Sequence, residues 1–409
     1  MILSVVSSIV PRLAKVESHL NFNTQNPNTS IGAGNDITFK HPDDIVVTCA
    51  LRSALTKGGK GGFKDTQAAD LLAGVLKAVI EKSGIDPKAI EDIAVGSVLP
   101  PVAVPQSSVR LPFLLAIIDI ANAIKSDMID VGIGAGVESM SLQYGPGAVT
   151  EFSELLESHP ASANCKVPML ILSEDMAKDR NVSRATQDAF AASSYQKAEK
   201  AQKEGLFKEE ITPLKVNWVD PKSGETKTIN VEADDGIRPG MTEESLSKIR
   251  AVVKGGSIHA GNASQISDGA AAVLLMKRST ALRLGQTIIG KYVSASVIGV
   301  DPLLMGLGPW KAIPIALEKA GITKDQVDIY EINEAFASQC VYCVDQLGLP
   351  IEKVNPKGGA IAFGHPLGCT GARQVSTLLT ELKRTNKKVG VTSMCVGTGM
   401  GVAAVWVAE

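Results

Sequence analysis

Apolar and polar positions alternate along this chain in two rhythms. Ile45 to Ala50 is a short, nearly continuous apolar run of the kind that forms a buried strand. From Gln67 to Ser83, apolar residues recur at Leu71, Leu72, Val75, Leu76, Val79 and Ile80, the three-and-four spacing of an amphipathic helix. Ile93 to Leu99 reads as a further strand, Ile117 to Lys125 and Arg184 to Gly205 as helices, and Ala270 to Met276 and Ile329 to Ile332 as buried strands. Strands that alternate with helices imply parallel pairing in an α/β sheet. Between the first strand and helix, Lys57-Gly58-Gly59-Lys60-Gly61-Gly62 lacks the Gly-Lys-Ser/Thr ending of a phosphate loop and reads as a surface turn.

Part of this pattern occurs twice. Lys82-Ser83-Gly84-Ile85 followed by Ile90-Glu91-Asp92-Ile93 resembles Lys319-Ala320-Gly321-Ile322 followed by Val327-Asp328-Ile329, each after an amphipathic helix and before a strand. The spacing implies two related α/β halves. The first is expected over 41–142 plus 251–282 and the second over 285–409, with 143–250, more charged and turn-rich, as an inserted loop domain covering a site. Residues 1–40, rich in Asn, Ser and Thr, read as a leader. In such a fold, ligands belong at strand carboxyl ends, where the halves meet.

With 409 residues, 44% of them apolar, the chain can bury a large core. A net charge of −2 with interspersed signs gives no footprint for nucleic acid or a membrane face. Six dispersed cysteines suit a reducing compartment. Cys340 and Cys343 look like half a metal motif, but no second Cys or His pair stands nearby, so no metal is expected. His159 reads as a surface histidine. The longest apolar run, Leu111 to Ile118, is broken by Asp119 and is too short to span a bilayer.

Candidate chemistry gathers in four glycine-rich or strand-end stretches. Gly364-His365-Pro366-Leu367-Gly368 places a histidine on a tight turn, and Ser393-Met394-Cys395-Val396-Gly397-Thr398-Gly399-Met400-Gly401 does the same for a cysteine; both side chains exchange protons near neutral pH. Asn333-Glu334-Ala335-Phe336 follows a strand and opens a helix. In Gly261 to Gly269, small residues let a ligand lie against the backbone while Ser264 and Ser267 donate hydrogen bonds. An ordinary turn is the plainer reading of that last stretch. Cys369, inside the histidine turn, reads as a packing residue.

Taken in this order, the Asn333, His365 and Cys395 stretches resemble the carboxyl half of the thiolases, most nearly the peroxisomal 3-ketoacyl-CoA thiolases of fungi. Gly61-Gly62-Phe63-Lys64-Asp65-Thr66, Gly136-Val137-Glu138-Ser139-Met140-Ser141 and Gly261 to Gly269 match as well, so the likeness covers about residues 41–99 and 119–409. The resemblance implies two duplicated α/β halves in a five-layer α-β-α-β-α sandwich, a homodimer, and CoA as co-substrate with no permanently bound cofactor. It further implies Cys395 as the acid/base cysteine, His365 as activator of a nucleophilic cysteine and Asn333 as holder of a water in an oxyanion hole. Gly397 would stabilise a second oxyanion through its N–H, Ser264 would touch the pantetheine arm and Phe336 would wall the pocket. In the leader, Arg12-Leu13, five residues, then His19-Leu20 resembles the amino-terminal peroxisomal targeting signal, which an import receptor reads.

One part of the family pattern is missing. Thiolases carry the nucleophile in an Asn-Arg-Gln-Cys-Ser-Ser-Gly-like turn opening the helix that here reads Ile117 to Lys125, and this chain has no such turn. Counting back without gaps places Arg110 at the cysteine position, and an arginine cannot form a thioester. The stretch from Pro100 to Pro112 holds four prolines, which a central strand does not tolerate. Ser107 and Ser108 lack the glycine and strand that would make either a substitute nucleophile. Three origins are open: a misread exon boundary, a truncated paralogue, or a protein that binds acyl-CoA without cleaving it. Confinement of the damage to one block favours the first.

Overall fold

A computed structural model describes residues 36–99, 114–144 and 160–409, with Glu154 and Ser158 between them. The expected targeting signal (Arg12, Leu13, His19 and Leu20), His159, Ser107, Ser108 and Arg110 lie outside the described residues. The chain divides at Asp36, and every element below belongs to the unit Ile37–Glu409.

The first half runs β1 (Ile45–Arg52), β2 (Thr56–Lys57), α1 (Ala68–Ser83), β3 (Asp92–Gly96), α2 (Leu115–Lys125) and β4 (Val131–Ser139). An insertion follows with α3 (Met169–Asp179), α4 (Arg184–Lys203) and the hairpin β5 (Leu214–Val219) and β6 (Thr226–Val231), after which β7 (Ser267–Lys277) completes the half. The second half runs β8 (Gly290–Gly299), α5 (Gly308–Ala320), β9 (Ile329–Ile332), α6 (Ala337–Leu347), α7 (Thr370–Arg384), β10 (Val389–Val396) and β11 (Met400–Ala408).

The main strands stand in the order β3-β4-β7-β1-β8-β11-β10-β9. From each outer edge inward, both halves read second, third, fourth, first, and they join where Ile45–Val47 of β1 pairs with Gly290–Tyr292 of β8. The sequence repeat is thus a repeat of topology. Gly84 and Gly321, at equivalent places in it, both close their helices in the left-handed region, at φ 66° and 69°.

Parallel pairing is narrower than the periodicity implied. Among the described strand pairs it is confined to β3 with β4 and β9 with β10, the two pairs whose strands are linked by crossing helices. The other pairs are antiparallel. β10 and β11 are joined by a turn of three residues, Gly397 to Gly399, which can only reverse the chain, and β7 enters the sheet from the insertion.

Strand alternation builds the layers. On β7, Ala270, Ala272, Leu274 and Met276 face a cluster with Leu71, Val75 and Val79 of α1. Ala271, Val273 and Leu275 of the same strand face the middle cluster, which holds α2 and α7. On β11, Val402, Ala404 and Trp406 also face that middle, while Ala403 and Val405 face Ile313 and Leu317 of α5. The result is α1, half-sheet, α2 with α7, half-sheet, α5: five layers. α7 is buried along nearly its whole length because both half-sheets press on it.

The Lys57–Gly62 turn is structural. The N–H groups of Gly58, Gly59 and Gly62 donate to Ile266 O, Ser141 Oγ and the Asp235 carboxylate, leaving none of the three for a phosphate.

Candidate active site

The site forms where β9 and β10 end side by side. Ile332 pairs with Ser393, and the next residue, Asn333, donates its N–H to Ser393 O at 2.9 Å. Asn333 is therefore held beside the strand end that carries Cys395. It follows the strand as expected but does not itself open the helix, since α6 begins only at Ala337. Cys395 likewise sits within β10, ahead of the Gly397–Gly399 turn and not on it.

Two further loops close on this point. Ser264 N–H donates to Ala335 O at 2.9 Å, and Gln265 Nε2 donates to Gly236 O, Ile361 O and Ala362 O. Gln265 O in turn accepts the N–H of His365 at 3.2 Å. One glutamine therefore ties the insertion, the serine loop and the histidine turn together. Ser264 keeps its side chain half-exposed, but Ser267 is buried and donates its hydroxyl to Gln265 O, so it serves the loop and not a ligand.

His365 reaches Asn333 and Thr370 at once. Its Nε2 lies 3.2 Å from Asn333 Nδ2, its Nδ1 lies 2.6 Å from Thr370 Oγ1, and that hydroxyl contacts Pro366 O at 3.0 Å. Burial, aided by the nearby Arg373 guanidinium, holds the imidazole down to about 3, so it is neutral at physiological pH. Burial pushes the Cys395 thiol up to about 11. The thiol faces an apolar cluster with Leu172, Met305 and Ala335. Its pocket, also lined by Met169, Met176 and Phe336, narrows to about 10 Å³, the room of about one water. At Gly397 nothing lies within 4 Å of where a Cβ would project.

Cys340, Cys343 and Cys369 are fully buried, and burial raises all three thiols, Cys343 and Cys369 to about 12. No metal-ligating cluster is found among the described residues, and none of their helices is long and apolar enough to cross a membrane.

Two residues escaped sequence reasoning. Thr370, five residues after His365, drew no reading from the sequence. Glu138, on β4, accepts from the N–H groups of Val98, Leu99 and Gly368 at 2.8–2.9 Å and from Ser97 Oγ at 3.2 Å. It pins the segment entering residue 100 against the histidine turn. It lies in the Gly136-to-Ser141 stretch that resembles the family, but its bonding role was signalled only by an acid among the apolar and glycine residues of a strand.

The thiolase N-terminal domain profile matches residues 45–110 and 113–279, and the thiolase C-terminal domain profile matches 286–408. The chain belongs to the thiolase family. It is 51% identical to the peroxisomal 3-ketoacyl-CoA thiolase of Yarrowia lipolytica, over 94% of this chain and 97% of that one, and 48% identical to peroxisomal 3-ketoacyl-CoA thiolase A of Rattus norvegicus, over 98% and 97%. The dimeric peroxisomal thiolase of Saccharomyces cerevisiae superposes with a TM-score of 0.83 at 44% identity, covering 91% of this chain and 99% of its own. A second yeast structure, at 40% identity and a TM-score of 0.72, over 91% of this chain and 100% of its own, is described as five-layered and built from two core domains of identical topology, the layering derived above. The rat alignment spans 426 positions but takes in 98% of these 409 residues, about 401, so about 25 of its positions face a gap in this thiolase. The family match is itself interrupted at residues 111–112, in the proline-rich block.

Proposed function

We propose that this thiolase belongs to peroxisomal fatty-acid β-oxidation and serves the thiolytic cleavage of 3-ketoacyl-CoA by CoA, giving acetyl-CoA and a shortened acyl-CoA. The reading is carried by the contact chain from Asn333 through His365 to Thr370, with Asn333 bonded to the strand that carries Cys395, and by Cys395 lining an apolar pocket. When the C–C bond breaks, its electron pair falls on the acetyl α-carbon. Cys395, a thiol at neutral pH, protonates that carbon, and the resulting thiolate takes the proton of the incoming CoA. Neutral His365 accepts the proton of a nucleophilic thiol, and with Asn333 it receives the thioester oxyanion. Gly397 N–H serves the second oxyanion, while Ser264 and Phe336 border the pantetheine and acyl paths. The active unit is a homodimer, delivered to the peroxisome by an import receptor that reads Arg12, Leu13, His19 and Leu20.

The acyl-accepting thiol is the part that the chain lacks. The test exchanges residues 100–113 for the corresponding block of the Yarrowia lipolytica relative and follows loss of acetoacetyl-CoA in the presence of CoA. No turnover is expected from the chain as it stands, turnover from the block exchange, and none after Cys395→Ala in that background. CoA binding without turnover in every version would overturn the reading in favour of a non-catalytic acyl-CoA-binding homologue.

A further inference from the structure

We infer that Thr370 is a positioning residue that holds the His365 proton on Nδ1 and so keeps Nε2 as the proton acceptor. The argument starts from the single proton of a threonine hydroxyl. Thr370 Oγ1 contacts both Pro366 O, at 3.0 Å, and His365 Nδ1, at 2.6 Å. A carbonyl can only accept, so the hydroxyl proton goes to Pro366 O. Both contacts are then hydrogen bonds only if Nδ1–H donates to Thr370 Oγ1. An independent contact gives the same answer from the other side of the ring, where the Asn333 amide nitrogen, a donor, stands 3.2 Å from Nε2.

Helix α7 reinforces the arrangement. Thr370 is its first residue, and Arg373, one turn later, is buried with its Nη1 on Glu331 at 2.9 Å. The positive end of the helix and the guanidinium both oppose a second proton on the ring. Thr370 thus selects which nitrogen holds the one proton, and its surroundings keep a second from binding. The inference rests on His365 being the base of the proposed reaction, but its measurement needs no turnover.

Histidine-selective 15N labelling reads the tautomer directly, with His365 assigned among the five histidines by its loss in His365→Asn. At pH 7 a pyrrole-type Nδ1 and a pyridine-type Nε2 are expected, kept in Thr370→Ser and lost to a mixed or inverted pattern in Thr370→Val. In the block-exchanged enzyme, Thr370→Val should lower kcat by about 10- to 100-fold, by analogy with the hydrogen-bond partners that orient metal-ligating histidines, with KM little changed and Thr370→Ser close to the parent. A pyridine-type Nδ1 in the unmodified protein overturns the inference, and that spectrum decides even if Thr370→Val fails to fold. A loss of kcat with the tautomer unchanged also overturns it. Absence of thiolysis by the block-exchanged enzyme with the expected spectrum refutes the proposed reaction and leaves the assignment standing.

Discussion

At the scale of single residues, the site depends on groups held away from their ordinary protonation. His365 is neutral in the folded protein down to about pH 3, whereas an exposed histidine gains its proton near 6.5. Below pH 6.5 the unfolded chain therefore binds a proton that the folded chain does not, and stability contributed above 6.5 is lost as pH falls toward 3. His259 acts in the same direction: burial lowers its pKa, its Nδ1 accepts the Gly261 N–H, and its Nε2 lies 2.8 Å from Asp188. Replacing His365 by Asn removes one of these contributions. The stability advantage of the unmodified protein over His365→Asn, read by urea unfolding, should shrink by about 1.4 kcal/mol per pH unit between pH 6 and 4. An advantage that stays constant over that range would show that His365 takes up its proton in the folded state.

At the scale of elements, the site depends on how closely a strand and a turn approach. A Cβ on Gly136 of β4 would overlap the carbonyl of Gly368, and one on Gly368 would lie 2.6 Å from both Ser97 Cα and Val137 O. The His365 turn thus rests on bare backbone, with Glu138 bonding Gly368 from the same strand. Gly136→Ala should cost about 1–3 kcal/mol in urea unfolding and shift the His365 ring resonances, because backbone cannot rotate aside as a side chain can. Unchanged stability and spectra would mean that the turn is not seated on β4. The elements themselves were legible: α1 and α4 stand within two residues of their predicted spans, and β9, buried at all four positions, stands where its short apolar run placed it. Strand direction was not, since periodicity states which face is buried and not which way the neighbour runs. The site was legible in part for a similar reason. His365, Cys395 and Asn333 stand in unusual glycine-rich or strand-end settings, whereas Thr370 differs from any helix-start threonine only in what lies across from it.

At the scale of the whole molecule, one buried charge network joins parts far apart in sequence. Arg52, at the end of β1, donates Nε to Glu210 at 2.8 Å and both Nη atoms to Asp234 at 2.7 and 2.9 Å. Lys357 donates to Glu210 at 2.7 Å, and Thr377 and Thr380 of α7 bond the same carboxylate at 2.9 Å. The first half, the insertion, the second half and the central helix all meet there, and all four charged groups are buried. Burial alone would raise the Glu210 pKa, yet Lys357 and Arg52 pull it down to about 2, so it stays ionised. In sequence, Asp234-Asp235-Gly236 read as one more charged turn, because charge patterning does not disclose which acids go inside. Arg52→Leu would strand two carboxylates without their shared partner and should cost about 3–5 kcal/mol, a large part of the stability of a typical domain. Arg52→Lys keeps the charge but loses the two-pronged grip on Asp234, so it should fall between Leu and the parent. Urea unfolding followed separately by Trp218 in the insertion and Trp406 in β11, with Trp310 and the remaining tryptophan replaced by Phe in each case, tests the coupling. The two transitions should coincide in the parent and separate in Arg52→Leu, with the insertion melting first; coincident transitions in Arg52→Leu would show that apolar packing alone holds the insertion to the core.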